Sequence, residues 1–338
     1  MKSIMRQLMA GESLTEAQSY TLFSELRRAT EVQQAVILTL LARKGETLSE
    51  IKGARAFLLE QSTMDPAILT ACPADVVDLV GTGGDGLGTF NISTAASLVV
   101  ASCGVYVAKN GGGRVTSLSG SADLMTALGV PLYLTASKIM QSLRQHHYAY
   151  ICGRYFNKAL NTFGPIRQQL GFPTIFNVLG PLMNPLQPKR QVIGVYRPEL
   201  VPIVAKLLQE TGSIHALVVH AQEGLDEFSV SGPNLVAEVQ PDAIKEYLVD
   251  PQSLGFPSST LNDVFGDTPE ANAVLIESIF AGQIKGAKRD IVLLNAAAGL
   301  LVADKVATLD EGVQMARDAI TSGRTLQLLN DLQRGEKE

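Results

Sequence analysis

The sequence predicts an α/β protein built from a small N-terminal α-helical domain and a larger α/β domain with a central, mainly parallel sheet flanked by helices. Three observations lead there. Up to about residue 65 apolar residues recur at helical spacing only. Beyond it, short β-rich runs alternate with helical ones. Two glycine-rich segments each stand between such a strand and a helix start. The 338 residues exceed one average domain, and a hydrophobic fraction of 46% suffices for a full core.

Within residues 1–65, Ser13-Leu14-Thr15-Glu16 and Thr47-Leu48-Ser49-Glu50 are helix-start signals, with acidic charge near the N-terminal end. Apolar positions from Tyr20 to Leu26 and from Val32 to Leu41 keep a helical period, and the helix begun at Thr47 reaches about Gln61. Short amphipathic helices bury little alone, so these are expected to pack on the rest of the chain or on a second subunit. Pro66 to Pro73 reads as a linker, and residues 74–338 form the second domain. Its expected strands are Val76–Val80, Val105–Ala108, Tyr148–Ile151, Gln191–Val195 and Ala216–His220. The Pro-, Gly- and Asn-rich stretch at 172–188 is expected to cross between the two units. Asn234 to Tyr247 alternates in polarity, which suits strands in an antiparallel setting. Helices are expected at Pro269–Gly282 and Lys288–Ala303, and a last one ends near Leu332 before a frayed tail.

Composition narrows the function classes. A net charge of −5 argues against nucleic acid as the main partner. Cys72, Cys103 and Cys152 are widely spaced and form no CxxC pair, which suits a reducing compartment and no structural zinc. No apolar run has membrane-spanning length and the N-terminus lacks a signal-peptide pattern, so a cytoplasmic protein without a membrane partner is expected.

The chemistry concentrates in four places. Gly81-Thr82-Gly83-Gly84-Asp85-Gly86-Leu87-Gly88 leads through Thr89, Phe90 and Asn91-Ile92-Ser93-Thr94 into a helix. Glycines let the backbone approach a ligand, and free N–H groups at a helix start favour phosphate. Lys109-Asn110-Gly111-Gly112-Gly113-Arg114-Val115-Thr116-Ser117, continued by Ser119-Gly120-Ser121-Ala122-Asp123, repeats the strand–loop–helix order with positive charge and hydroxyls. Two such loops at the carboxyl ends of parallel strands fit a ligand with two phosphate groups. Asp226-Glu227 alone would be a solvated turn; beside two phosphate loops the pair suggests Mg²⁺ bridging to phosphate oxygens. Arg167 offers a guanidinium for a carboxylate or a phosphate. His146, His147, His215 and His220 lack metal-ligand spacing, and there is no nucleophile elbow and no Walker signature.

These residues match a known pattern. Gly81-Thr82-Gly83-Gly84-Asp85, Asn91-Ile92-Ser93-Thr94, Ser119 to Asp123, Arg167, Phe176-Asn177-Val178-Leu179-Gly180-Pro181-Leu182-Met183-Asn184-Pro185 and Gly224-Leu225-Asp226-Glu227 closely resemble the anthranilate phosphoribosyltransferases, within the wider family that includes the pyrimidine nucleoside phosphorylases. The resemblance runs from about residue 4 to 332. It implies transfer of the phosphoribosyl group of phosphoribosyl pyrophosphate to the amine of anthranilate, in tryptophan biosynthesis. It implies that Gly81, Gly84, Asp85, Thr89, Asn91, Ile92, Ser93 and Thr94 hold the pyrophosphate and ribose. By the same resemblance Lys109, Asn110, Gly111, Gly112, Gly113, Arg114, Val115, Thr116, Ser117 and Ser121 wrap the phosphates, and Gly81, Gly112 and Arg167 face the acceptor. It further implies two Mg²⁺ ions, one on Ser93 and Glu227 and one on Asp226 and Glu227, and a homodimer joined through the helical domain. An aromatic amine is a weak nucleophile, so the reaction runs with oxocarbenium character and needs charge neutralisation and alignment rather than a covalent nucleophile.

Two departures stand out. The family's Lys-His-Gly-Asn-Arg reads Lys109-Asn110-Gly111-Gly112-Gly113 here, with Arg114 one position late, and its histidine-containing segment upstream of Arg167 reads Asn157-Lys158-Ala159-Leu160-Asn161-Thr162. Either Arg114 replaces the missing arginine, or the chain is a paralogue for another aromatic amine or nucleobase; a non-catalytic phosphoribosyl-metabolite binding protein is the reading outside the enzymes.

Overall fold

The computed structural model describes residues 1–112, 119–133 and 135–335. The N-terminal part is helical: Lys2–Met9, Glu16–Leu26, Glu31–Lys44 and Leu48–Glu60. Capping boxes close the starts at Thr15 and Thr30, where a side-chain oxygen meets the backbone N–H three residues on. Glu50, fully buried, does more than cap: its carboxylate accepts from the N–H of Thr47 and of Leu14, both at 2.9 Å, and pairs with Lys44. One carboxylate thereby ties three segments together. Helices Glu16–Leu26 and Leu48–Glu60 touch at Gly53, where any Cβ would overlap the carbonyl of Glu16.

Residues 66–73 are not a bare linker. Pro66–Ala71 is a helix, with Asp65 capping the N–H of Ala67 and Pro66 in the first turn, where its missing N–H costs nothing. The last helix, Arg324–Arg334, runs two residues past the expected end.

Seven strands form one sheet: β1 Val77–Gly81, β2 Val107–Gly111, β3 Tyr148–Cys152, β4 Arg190–Gly194, β5 His215–Ala221, β6 Asn234–Gln240 and β7 Ala243–Val249. Their order is β3-β2-β1-β4-β5-β6-β7, parallel through β5 and antiparallel for β6 and β7. From β1 the chain winds outward to β2 and β3, then returns to start β4 on the other side. The winding therefore reverses between β1 and β4, and such a reversal opens a crevice outside the carboxyl ends of the strands.

One face of the sheet carries helices Ile92–Ser102 and Ala287–Val302 in a continuous apolar core. The other face carries Leu200–Glu210, and its core continues without a break into the N-terminal helices. The stretch at 172–188 makes that continuity. It is largely buried, holds the short helix Ile175–Leu179, and sets Phe176 between Phe23 and Phe163, with ring centroids 5.8 Å and 4.6 Å apart.

Candidate active site

Strand β1 feeds the first glycine loop, β2 feeds the second, and the Asp226-Glu227 loop follows β5, so all three meet at one end of the sheet. Asp226 is 7% exposed and lies against the reversal itself. A Cβ on Gly81, ending β1, would overlap its carboxylate; a Cβ on Gly194, ending β4, would overlap its carbonyl. Gly194 went unnoticed in the sequence because a single glycine after an apolar strand carries no local signal. The N–H of Gly83 donates to the Asp226 carboxylate at 2.5 Å. Gly84, at φ 82°, packs against Pro173, so the first loop also leans on the 172–188 stretch.

Negative charge is crowded here. Burial, with Asp85 and Glu227 as neighbours, drives the Asp226 carboxyl well above the ordinary carboxylate range. Burial pushes Glu227 up to about 7, against the pull of Lys109 and hydrogen bonds from Ser93. The Ser93 N–H, at the start of helix Ile92–Ser102, donates to Glu227 at 3.2 Å. Lys109 is 2% exposed; its Nζ donates to the carbonyl of Asn110 at 3.0 Å, and its charge faces Asp78, Glu227 and Asp226. Lys109 is thus a buried countercharge inside the site.

Asp78 explains how the two glycine loops are kept apart. Strands β1 and β2 pair only at Val77 and Val107, whereas β1 and β4 pair along five residues. Beyond Val107 the Asp78 carboxylate accepts from the N–H of Asn110 at 3.0 Å and from Asn184 Nδ2 at 2.8 Å, while the same amide nitrogen donates to the carbonyl of Ala108 at 2.9 Å. Two side chains replace the ladder and hold the strands apart. Burial raises the Asp78 carboxyl to about 6.

The second loop is docked through its ends. Asn91 accepts from the Ser119 hydroxyl at 2.9 Å and donates to the Ser119 carbonyl at 3.0 Å, and Asn272 donates to it at 3.3 Å. Ser121 bonds the Tyr150 hydroxyl at 2.8 Å and accepts from the N–H of Gly112 at 3.2 Å. Gly111 leaves the room for this pair. Asn272 and Tyr150 are polar partners that only the packing brings in. Thr89 bridges to Phe265, and Thr94 is buried with an unpartnered hydroxyl. The Asn110 side chain turns away, donating to the carbonyl of Gly180 at 3.1 Å. Gly113, Arg114, Val115, Thr116 and Ser117 lie outside the described residues.

Arg167 lies on helix Gly164–Leu170. Its Nη2 donates to Asn177 Oδ1 at 3.4 Å, and Asn177 donates to the carbonyl of Thr82 in the first loop at 3.2 Å. The guanidinium stands 5.5 Å over the Phe176 ring, its Nε is buried without a partner, and burial lowers its pKa to about 10. Among the described residues no carboxylate pairs with it. His220 is tied to the carbonyl of Val195 at 2.7 Å and His215 to Asp304 and Glu238, which are structural contacts.

The metal question can be tested on these residues. Among the described residues no group of three His, Cys, Asp or Glu side chains forms a ready-made cage. Two carboxylates without a full cage suit Mg²⁺, which keeps several waters and completes its shell with phosphate oxygens. The crowding of Asp85, Asp226 and Glu227 supplies the negative potential for it.

The model of the glycosyl transferase family's a/b domain matches residues 73–326, and that of its helical bundle domain matches residues 2–62. The chain belongs to the glycosyl transferase family. It is similar to the anthranilate phosphoribosyltransferase of Symbiobacterium thermophilum, 41% identical over 331 residues, covering 97% of this chain and 96% of the relative. Among solved structures it resembles the anthranilate phosphoribosyltransferase of Thermus thermophilus, at 34% identity and a TM-score of 0.84, over 97% and 98% of the two chains. It also resembles the Saccharomyces cerevisiae enzyme in complex with PRPP and Mg, at 26% identity and a TM-score of 0.85, over 98% and 97%. The family shares the small helical domain and the larger α/β domain seen here.

Proposed function

We propose that this protein is an anthranilate phosphoribosyltransferase, transferring the phosphoribosyl group of phosphoribosyl pyrophosphate to anthranilate with Mg²⁺ and releasing pyrophosphate. The observation that carries the reading is one short path: a guanidinium without an acid partner, Arg167, is linked through Asn177 to the carbonyl of Thr82 in a phosphate loop closed by Asp226. An anion-binding group for the acceptor and the loops for the donor therefore share one mouth. Readings as a transferase for another amine or nucleobase, or as a non-catalytic binder, are less favoured, since relatives along the whole chain are anthranilate phosphoribosyltransferases.

The roles follow from position. The N–H groups of the first loop and of the helix beginning at Ile92 bind the donor's phosphates. Asp226 and Glu227, with the Ser93 hydroxyl, hold the metal, and we assign two ions to them. Mg²⁺ supplies neutralisation of the charge that develops on departing pyrophosphate. Lys109 balances the carboxylates from behind, and Ser121 and Gly112 present the second loop. Arg167 takes the anthranilate carboxylate bidentately, and the nearby Phe176 ring supports the guanidinium that orients the amine towards the anomeric carbon. No covalent nucleophile is needed. We further propose a cytoplasmic homodimer joined through the helical domain: Met9 and Val32 are 71% and 74% exposed there, and the three cysteines are free.

Incubation with phosphoribosyl pyrophosphate, Mg²⁺ and anthranilate, followed by loss of anthranilate fluorescence, tests the activity. Metal-dependent turnover supports it. Donor binding without turnover, together with consumption of a different amine, would replace it with the paralogue reading.

A further inference from the structure

A segment far along the chain is docked on the first glycine loop. Phe265 bridges to Thr89, and the N–H of Gly266 donates to the carbonyl of Gly88 at 2.9 Å. A Cβ on Gly266 would lie 2.5 Å from the backbone of Phe90, so the two main chains touch. The segment then enters helix Pro269–Phe280, where the Thr268 hydroxyl caps the N–H of Ala271. The first turn of that helix carries Asn272, 2% exposed.

The backbone fixes which way the Asn272 amide faces. The N–H of Asp267 can only donate and its carbonyl can only accept. They meet Oδ1 of Asn272 at 2.9 Å and its Nδ2 at 3.1 Å. The same Nδ2 donates to Oδ1 of Asn91, 181 positions away, at 3.3 Å. Both N–H bonds of Asn272 are thereby spent on the protein, and the buried side chain has none left for a ligand.

Asn91 is differently placed. Its Oδ1 accepts from Asn272 and from the Ser119 hydroxyl, so both lone pairs are used. Its Nδ2 gives one hydrogen to the Ser119 carbonyl, and the other has no partner among the described residues. That N–H stands immediately before helix Ile92–Ser102, whose free N–H groups favour phosphate. A reversed amide would set Oδ1 against the Ser119 carbonyl and offer an acceptor to phosphate oxygens, which only accept. Ser119 belongs to the second loop and is itself held by Asn91; Asn272 is the partner that comes from outside both loops.

We propose that Asn272 is a positioning residue for the donor: it holds the Asn91 amide so that its nitrogen, not its oxygen, is offered to a phosphate oxygen of phosphoribosyl pyrophosphate. The assignment rests on the donor reading above.

Calorimetric titration of the full chain with phosphoribosyl pyrophosphate and Mg²⁺, without acceptor, tests it. Asn272→Ala should raise the donor's Kd about 5- to 10-fold, part of one hydrogen bond to a charged group. In an Asn91→Ala background the same change should move the Kd by no more than about twofold, because the group it acts through is gone. Asn272→Ser, which is also too short to reach Asn91, carries the test should Asn272→Ala fail to fold. In turnover, the donor's KM should rise by the same factor while kcat at saturating donor stays within about twofold. An unchanged Kd in both Asn272 variants would overturn the proposal and leave the donor reading standing. An equal loss with and without Asn91 would make Asn272 a packing residue only, and would overturn it too. No binding to the native chain would remove the donor reading, and this role with it.

Discussion

The two ends of the parallel strands pair their charges differently. At the carboxyl end Asp85, Asp226 and Glu227 crowd together with Lys109 as their buried counterweight. At the amino end Arg190, which begins β4, pairs with Asp304, and His215, which begins β5, meets Asp304 and Glu238. Only the carboxyl end crowds buried charge of one sign, which is costly unless a ligand of opposite sign arrives. The difference lies in the backbone. The carboxyl end has glycines that admit Asp226 and present N–H groups, so it can hold phosphates and a cation together. At the amino end charged side chains of opposite sign answer one another directly.

The largest effect that would break this contrast is removal of the acidic pair. Asp226→Ala/Glu227→Ala should lower metal-dependent turnover by about 10³-fold or more, on the scale of losing metal-assisted charge stabilisation. Turnover within tenfold of the native chain, read by anthranilate fluorescence, would remove these residues from the metal site. Next comes the geometry that admits Asp226. Gly194→Ala places a methyl on the Asp226 carbonyl and should cost about 3 kcal/mol of stability in urea unfolding, as overpacking against backbone does. An unchanged midpoint would mean that the Asp226 loop is not wedged at the reversal. Arg167→Ala should raise the KM for anthranilate about 10- to 100-fold, the span of a hydrogen-bonded charge, and leave the donor's KM within about twofold. A larger change in the donor's KM would reassign Arg167 to phosphate.

A smaller effect concerns pH. Glu227 rises from 4.5 to about 7 and Asp78 from 3.8 to about 6 on folding, so the folded, metal-free chain binds protons that the unfolded chain releases. Their contribution to stability is complete below the unfolded values and is lost as pH rises through the folded ones. Metal-free stability should therefore fall between roughly pH 4 and 7, and Mg²⁺ affinity should climb over the same window because binding displaces those protons. Calorimetry in two buffers of different ionisation heat would show the proton release; its absence at pH 6 would contradict the assignment.

Much of this was legible along the chain because it rests on local rules. The start signals at residues 13–16 and 47–50 stand at the beginnings of two helices, alternation of short strands and helices marks the parallel sheet, and glycine loops follow β1 and β2. The resemblance of the quoted motifs to the phosphoribosyltransferases agreed with family membership. The failures were equally local in origin. Residues 66–73 contain two prolines and read as a linker, yet Asp65 caps them into a helix. Lys109 read as loop charge, yet β2 runs through it and buries it.

By itself, then, the sequence determined the order of elements, the glycine loops and the acidic pair, since periodicity, glycine content and neighbouring side chains are properties of short segments. Only the tertiary structure decided the rest. It brought Gly194 under Asp226, set Asp78 and Asn184 between β1 and β2, and joined Arg167 to Thr82 through Asn177. Each is a contact between residues tens to more than a hundred positions apart. The winding of the sheet and the burial of both faces select such contacts, and no local pattern encodes them.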